Sequence, residues 1–414
     1  MQRWKRWRMR LALFAMVAGP GIITANVDND AGGIATYSVA GAKFGYGILW
    51  VLAPTCLLLV LVQEMASRMG VVTGKGLSGL IRERFGLRAS FYLMVALVAT
   101  NIGNAIADFA GVAAGSEIFG LSRYIAVPVG AFLLWHIVIK ASYRLVERVF
   151  LVACLFYVTY IISGFLAHPD WTSALRGSLV PEFRWHGGYF YMIVGIIGTT
   201  IAPWMQFYQQ ASVVEKGIPI KHYRYARLDT VFGAIVVTVV CFFIVLACAA
   251  TLHREGISVE TADQAARALE PIAGQYCAAL FAVGLLAASL FGATILPIST
   301  ATGVCEAMGW ESGIDRKFTQ APQYYSIYTA VILVGAVVAL AVGTRHLISI
   351  MLFSQVVNGV LLPVVVYFML RITSDRAIMG EHTNGRLFNV LAWAGAGLVS
   401  VMSLAMVVLY FVSG

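Results

Sequence analysis

Apolar residues run along the chain in long blocks, at approximately 11–41, 45–67, 91–119, 123–139, 149–167, 188–215, 228–252, 271–306, 322–343, 346–370 and 387–413. Short polar segments rich in Gly, Pro and charge separate them. A membrane crossing takes about 17–25 apolar residues, so the pattern predicts eleven transmembrane helices, several long enough to tilt or break. Composition agrees: 60% of the 414 residues are hydrophobic and 12% are charged, about half the charged share of a soluble domain, near 25%. A water-soluble enzyme is excluded, and almost the whole chain is membrane domain.

The net charge of +9 acquires a meaning once the basic residues are placed. Of the 29 Lys and Arg, 22 fall in segments on one side of the predicted helices: 1–10, 68–88, 140–148, 216–227, 316–317 and 371–386. This asymmetry predicts a cytoplasmic N-terminus, an external C-terminus and a multi-pass protein of the cell membrane. The basic residues are dispersed among loops, so no nucleic-acid partner is expected. The basic start MQRWKRWRMR followed by LALFAMVAG imitates a signal peptide, but ten further spans make a retained first helix the simpler reading. The six cysteines form no CxxC pair or Cys/His cluster and read as small buried hydrophobes.

Two blocks are interrupted. The first, GPGIITANVDNDAGGIATYSVAGA, carries Asn26, Asp28, Asn29 and Asp30 at mid-membrane. One ionised residue there costs about 2.5–3.5 kcal/mol on insertion scales, so two within three residues imply a polar cavity or a ligand. Gly32 and Gly33 are expected to let the backbone leave helical geometry. The sixth block carries Pro203 among Thr199, Thr200, Gln206, Gln209 and Gln210. Five spans separate the interruptions, the spacing of an inverted repeat whose two broken helices meet at the midplane. The predicted fold class is an all-α membrane protein with an inverted repeat of five plus five helices and an eleventh. The expected organisation is a basic N-terminus (1–10), a first repeat (11–170), an external loop (171–187), a second repeat (188–371), and a loop with the eleventh helix (372–414).

Four segments in this order resemble the Nramp family of divalent-metal transporters: GPG at 19–21 with Asp30 nine residues on, QEMASRMGVVTGKGL (63–77), ADFAGVAAGSEIFG (107–120) and SQVVNGVLLP (354–363). The family hallmark Asp-Pro-Gly-Asn reads Asp30, Ala31, Gly32 and Gly33 here. Where the family has Met-Pro-His in its sixth helix, this chain has Ala202, Pro203 and Trp204, and Gly111 replaces the acid three residues after Asp108. The pattern of losses is similar to that of the Nramp-related magnesium transporters, a branch of the family.

The resemblance implies the LeuT type of inverted repeat, and it implies roles. Asp30 is the expected ligand, with the alternative of a cap for the second half-helix. Asp28 lines the cavity or supplies a ligand, and Gly33 stands in the place of the asparagine ligand. The Ala202 carbonyl is a candidate through the break; Gln206, Gln355 and Asn358 act through water, or as ordinary interhelical bonds. Asp108, Asn101, Asn104, Glu117 and Trp204 line a polar pathway, with a structural network as the alternative. Without thioether sulfur the donors are all oxygen, which suits Mg2+ and Mn2+, and the small Gly33 and Ala202 are expected to widen the cavity. Without the imidazole and second acid a proton path is not expected. The partners are a divalent cation as cargo and the bilayer, and no cofactor is required. Motifs such as HExxH or GxSxG are missing, so no enzyme is expected. The oligomeric state is left open, a monomer being compatible. Glu64 and Arg68, four residues apart, are expected to pair.

Overall fold

The computed structural model describes residues 17–140, 143–257, 259, 275–342 and 344–413; the basic start 1–10 and the first residues of the first span lie outside the described residues. Every regular element among them is helical. In chain order these are α1 (Pro20–Val27), α2 (Ala31–Phe44), α3 (Leu52–Thr73), α4 (Leu77–Ile118), α5 (Arg123–Lys140), α6 (Tyr143–Ala153), α7 (Val158–Leu166) and α8 (Trp171–Leu179). They continue with α9 (Gly187–Thr200), α10 (Pro203–Glu215), α11 (Tyr223–Cys248), α12 (Gln275–Met308), α13 (Pro322–Ala341), α14 (Thr344–Thr373), α15 (Arg376–Met379) and α16 (Arg386–Ser413).

Among the described residues ten helical stretches are long and apolar enough to cross a membrane, the first of them, Ala31–Thr73, running two predicted spans together through a 3-10 segment, Gly45–Val51. With α1 restored to α2, the eleven-span pattern holds: α1 with α2 is the first span and α9 with α10 the sixth. The fold is therefore the all-α inverted repeat of LeuT type, both broken helices lying in its centre. Burial sets the layers. The sixth span is 94% buried over its apolar window and the last, Arg386–Leu409, only 22%, so the broken helix is the axis and α16 an outer addition.

Local chemistry explains where the elements differ from the predicted blocks. The basic segment 68–88 is mostly helix, not loop: α3 continues to Thr73, Gly74 closes it with φ 64°, and α4 begins at Leu77 with a non-helical Gly86 (φ 86°). The loop 171–187 contains α8, whose N-cap Asp170 accepts from the Thr172 and Ser173 N–H groups. The Ser173 hydroxyl and these N–H groups hold the Asp170 carboxyl below its ordinary range.

Small residues bring the central helices together. A Cβ on Gly21 of α1 would lie 2.6 Å from the Thr230 backbone of α11, and one on Gly359 of α14 2.5 Å from the Val194 carbonyl oxygen of α9. Such backbone approaches are the usual means of helix association in lipid, where no hydrophobic drive operates between helices. Asp229 of α11 adds a polar tie, its carboxylate accepting from the N–H groups of Gly19 (3.1 Å) and Gly21 (2.6 Å) at the start of α1. Beside it, Lys216 donates to Glu147 and to the Ala18 carbonyl, both at 2.6 Å. Glu64 and Arg68 do pair, at 3.2 Å.

Candidate cation site at the two helix breaks

The first helix stops at Val27 and restarts at Ala31. Asp30 lies between them as the N-cap of α2, extended (φ −66°, ψ −177°), its Oδ1 accepting from the Gly33 N–H at 2.7 Å. A carboxylate at this position satisfies orphan amides and meets the positive end of the helix dipole. The cap fixes Oδ1 and so aims the rest of the carboxylate. Gly32 and Gly33 are not the place where the helix opens; both belong to the first turn of α2, and the opening is at Asp28–Asp30.

Their smallness has another cause. A Cβ on Gly33 would lie 2.6 Å from the Asp28 carbonyl oxygen and 2.9 Å from Thr199 Oγ1, and one on Gly111 would lie 3.1 Å from the Ser289 Cβ. The expected widening at Gly33 is therefore not how the break is packed, because backbone and hydroxyl fill the space.

The sixth helix breaks as its sequence demands. α9 ends at Thr200, Ala202 is extended (φ −64°, ψ 138°), and Pro203 takes the first position of α10, where its missing N–H costs nothing. The Ala202 carbonyl is already engaged by the Met205 N–H at 3.0 Å, and the Gln206 amide, turned to satisfy its surroundings, donates to the same oxygen at 2.7 Å. It offers a cation only its remaining capacity. Trp204 is buried, its carbonyl accepting from Ser299 of α12 at 3.0 Å.

Around the breaks the polar groups divide. Asp108 of α4 accepts from the Ala31 N–H at 3.2 Å through Oδ1, next to Asp30, while its Oδ2 has no partner. Gln355 of α14 reaches over Gly32, and Asn358 donates to Gln355 Oε1 (3.0 Å) and to Asn104 Oδ1 of α4 (3.1 Å). Asn101 donates to Thr300 at 2.8 Å. Asp28 is 1% exposed and neither carboxylate oxygen has a partner. Groups of this kind are costly to bury unless something polar or cationic meets them. Glu117 stands apart, held by Arg123 in a two-bond pair (2.5 and 2.8 Å) at the end of α4, so it is not a free lining acid.

Residues without a sequence signal complete the site. The Tyr37 hydroxyl lies 2.7 Å from Thr200 Oγ1, and since Thr200 itself donates to Ile196, Tyr37 is the donor. Cys241 of α11 donates to Asn29 Oδ1 at 3.1 Å, so this thiol is tied to the break and not merely packed. Gly292 of α12 lets the Asp108 carboxylate rest against its backbone; a Cβ there would lie 2.5 and 2.6 Å from the two oxygens. Among the described residues no three His, Cys, Asp or Glu side chains gather as a metal site. A cation at the breaks would draw on the carboxylates and neutral amide, hydroxyl and carbonyl oxygens.

Buried carboxylates between two broken membrane helices are the arrangement of a membrane transporter. The chain belongs to the Nramp family: the family model described as "Natural resistance-associated macrophage protein-like" matches residues 21–409. The divalent metal cation transporter MntH 1 of Pseudomonas aeruginosa is 29% identical, over 97% of this chain and 92% of its own length. The MntH transporter of Ralstonia nicotianae is 30% identical, over 94% and 90%. The crystal structure of the Eremococcus coleocola manganese transporter with an aromatic bis-isothiourea compound superposes with a TM-score of 0.79 at 21% identity, covering 96% of this chain and 86% of that one. At that identity the likeness speaks for the fold alone.

Proposed function

We propose that the chain is a divalent-cation transporter that carries Mg2+, and also Mn2+, inward as a largely hydrated ion, driven by the membrane potential without proton movement. This reading places it with the Nramp-related magnesium transporters, in the cell membrane with its N-terminus in the cytoplasm. The observation that carries it is the donor set at the second break, where Ala202 and Trp204 flank Pro203 and offer neither thioether nor imidazole. A hard cation that keeps several waters is served by carboxylate and amide oxygens acting partly through those waters. The unpartnered oxygens of Asp28, Asp108 and Asn358 are suited to such a shell. The driving force is adequate: about 2.3 kcal/mol per charge per 100 mV supports about a thousandfold gradient of a dication.

A second reading, proton-coupled symport of Mn2+ or Fe2+, draws on Asp108, whose free Oδ2 lies beside the break, and on the divalent metal cation transport named for the MntH relatives. Uptake into proteoliposomes with Mg2+, Mn2+ and Cd2+, an internal dye reporting pH, separates the two. Mg2+ influx with no acidification is expected. Acidification driven by Mg2+ would refute uncoupled transport, and Cd2+ flux without Mg2+ flux would refute the cargo. Asp30→Ala is expected to abolish uptake in a folded protein; normal flux would move the ligand role to Asp28.

A further inference from the structure

At the end of the bundle where α14 closes and α16 begins, a cavity of about 330 Å3 lies among Arg84 of α4, Arg371 in the last turn of α14, Asp375, Arg376 of α15 and Trp393 of α16. That is the size of a small ligand pocket, at the lower end of about 300–1,000 Å3. Charge around it is unbalanced. Among the described residues Asp375 is the one acid on its wall, and both carboxylate oxygens are engaged: Oδ2 by Arg84 at 3.0 Å, Oδ1 by the Ala377 N–H at 2.9 Å. Arg371 and Arg376 are exposed and pair with no carboxylate among the described residues. Two guanidinium groups thus line one cavity without a counter-charge.

The apolar surroundings narrow what could supply that charge. Trp393 is 43% exposed, and its ring meets that of Tyr367 of α14 edge-on at 6.0 Å. Tyr367 and Val390, the latter one turn before Trp393, are exposed as well. All three belong to the membrane-crossing stretches Ser349–Thr373 and Arg386–Leu409, so the cavity leads from charged helix ends directly onto a lipid-facing apolar strip. A free inorganic anion uses only the arginines; a molecule with an anionic head and an apolar tail uses both halves. The planar guanidinium fork matches phosphate oxygens. Trp and Tyr sit at the headgroup level of a bilayer, and basic pockets between membrane helices hold anionic headgroups.

We propose that this cavity binds an anionic phospholipid, Arg371 and Arg376 taking its phosphodiester while Tyr367, Val390 and Trp393 carry the upper part of its acyl chains. Arg84 is a positioning residue: by pairing with Asp375 it neutralises the one charge on the wall that repels a phosphate. The lipid also has a structural role. α16 is only 22% buried over its apolar window, and a headgroup held between α14, α15 and α16 fastens this outer helix to the core. The inference is independent of the cargo and of how the cation is bound.

The test is lipid binding by the whole chain in detergent, read by native mass spectrometry as delipidated protein is titrated with micelles carrying phosphatidylglycerol or phosphatidylcholine. Phosphatidylglycerol is expected to bind in preference. Arg371→Gln combined with Arg376→Gln is expected to weaken it about thirtyfold, about fivefold for each arginine near a headgroup. Lys140→Gln combined with Arg148→Gln removes the same charge from exposed positions on α5 and α6, outside the cavity, and is expected to change the affinity by less than about twofold, as for screened, distant charge. Equal weakening by the two pairs would mean diffuse attraction to positive charge and would overturn the site, as would equal binding of the two lipids. Inorganic phosphate in large excess is expected not to displace the lipid; displacement would mark a free-anion site and overturn the lipid as occupant. Should the double variant not fold, Arg376→Gln alone serves: about fivefold weaker binding is expected, and unchanged affinity would refute the proposal.

Discussion

Gly292 offers a sharp probe of how Asp108 is held. Replacing it with alanine puts a methyl group 2.5–2.7 Å from both oxygens and Cγ of the Asp108 carboxyl, where ordinary contact begins near 3.4 Å. The carboxylate has to retreat by most of an ångström. Its bond to the Ala31 N–H starts at 3.2 Å, already near the long end of hydrogen bonding, so the retreat is expected to break it and orphan a buried peptide group in the first turn of α2. That loss costs about 1–3 kcal/mol, against about 1 kcal/mol that alanine gains over glycine in a helix. Thermal unfolding in detergent and Mg2+ uptake are the assays, run as a double-mutant cycle with Asp108→Ala. Gly292→Ala is expected to destabilise and slow the wild type but to be neutral or stabilising once the carboxylate is gone. Additive effects of the two substitutions would refute the contact as the cause.

Gly33→Asn, which restores the family's residue, is expected to impair uptake of every cation, because its Cβ meets the Asp28 carbonyl at 2.6 Å; a gain of Cd2+ transport with Mg2+ transport intact would show that the break has room after all. Asp229→Asn replaces a charged acceptor of two N–H groups at the start of α1, so a lower melting temperature is expected, by about 1–3 kcal/mol of lost stability, and an unchanged melt would mean that the tie carries no load. Lys216→Met leaves Glu147 without its 2.6 Å partner and frees the Ala18 carbonyl; faster cleavage by protease near residue 18 is expected, and wild-type cleavage would contradict a tie between α1, α6 and α10.

What the sequence made legible follows the strength of each physical signal. Long apolar blocks and two interruptions five spans apart could be read directly, since a bilayer enforces length and punishes mid-membrane acids. Asp30 was legible because no apolar helix tolerates it unaided. Tyr37, Cys241 and Gly292 were not, because each belongs to an apolar run with ordinary helical spacing and gains its meaning from a neighbour on another helix. Asp229 was hidden for a related reason: near a span end it reads as a boundary residue, and only the approach of Gly19 and Gly21 makes it a cap. Gly33 shows the opposite error. Its size was legible, but size alone does not distinguish an empty space from a close backbone approach.

That last distinction bears on the proposed selection of a hydrated ion. If glycines at 33 and 111 left voids, selectivity would follow from volume. They do not: Asp28, Thr199 and Ser289 occupy the space. The difference from a thioether-bearing site must then lie in the donors, and these have a common feature, since Asp28, Asp108, Gln355 and Asn358 each keep a polar atom unpartnered. A soft ligand contributes one polarisable contact that rewards shedding water. Carboxylates and amides reward hydrogen bonding to water that stays, and Mg2+ holds its water more firmly than its competitors. On the proposed reading, selection depends on where the lone pairs of Asp28, Asp108 and Asn358 point, and not on the volume of the break.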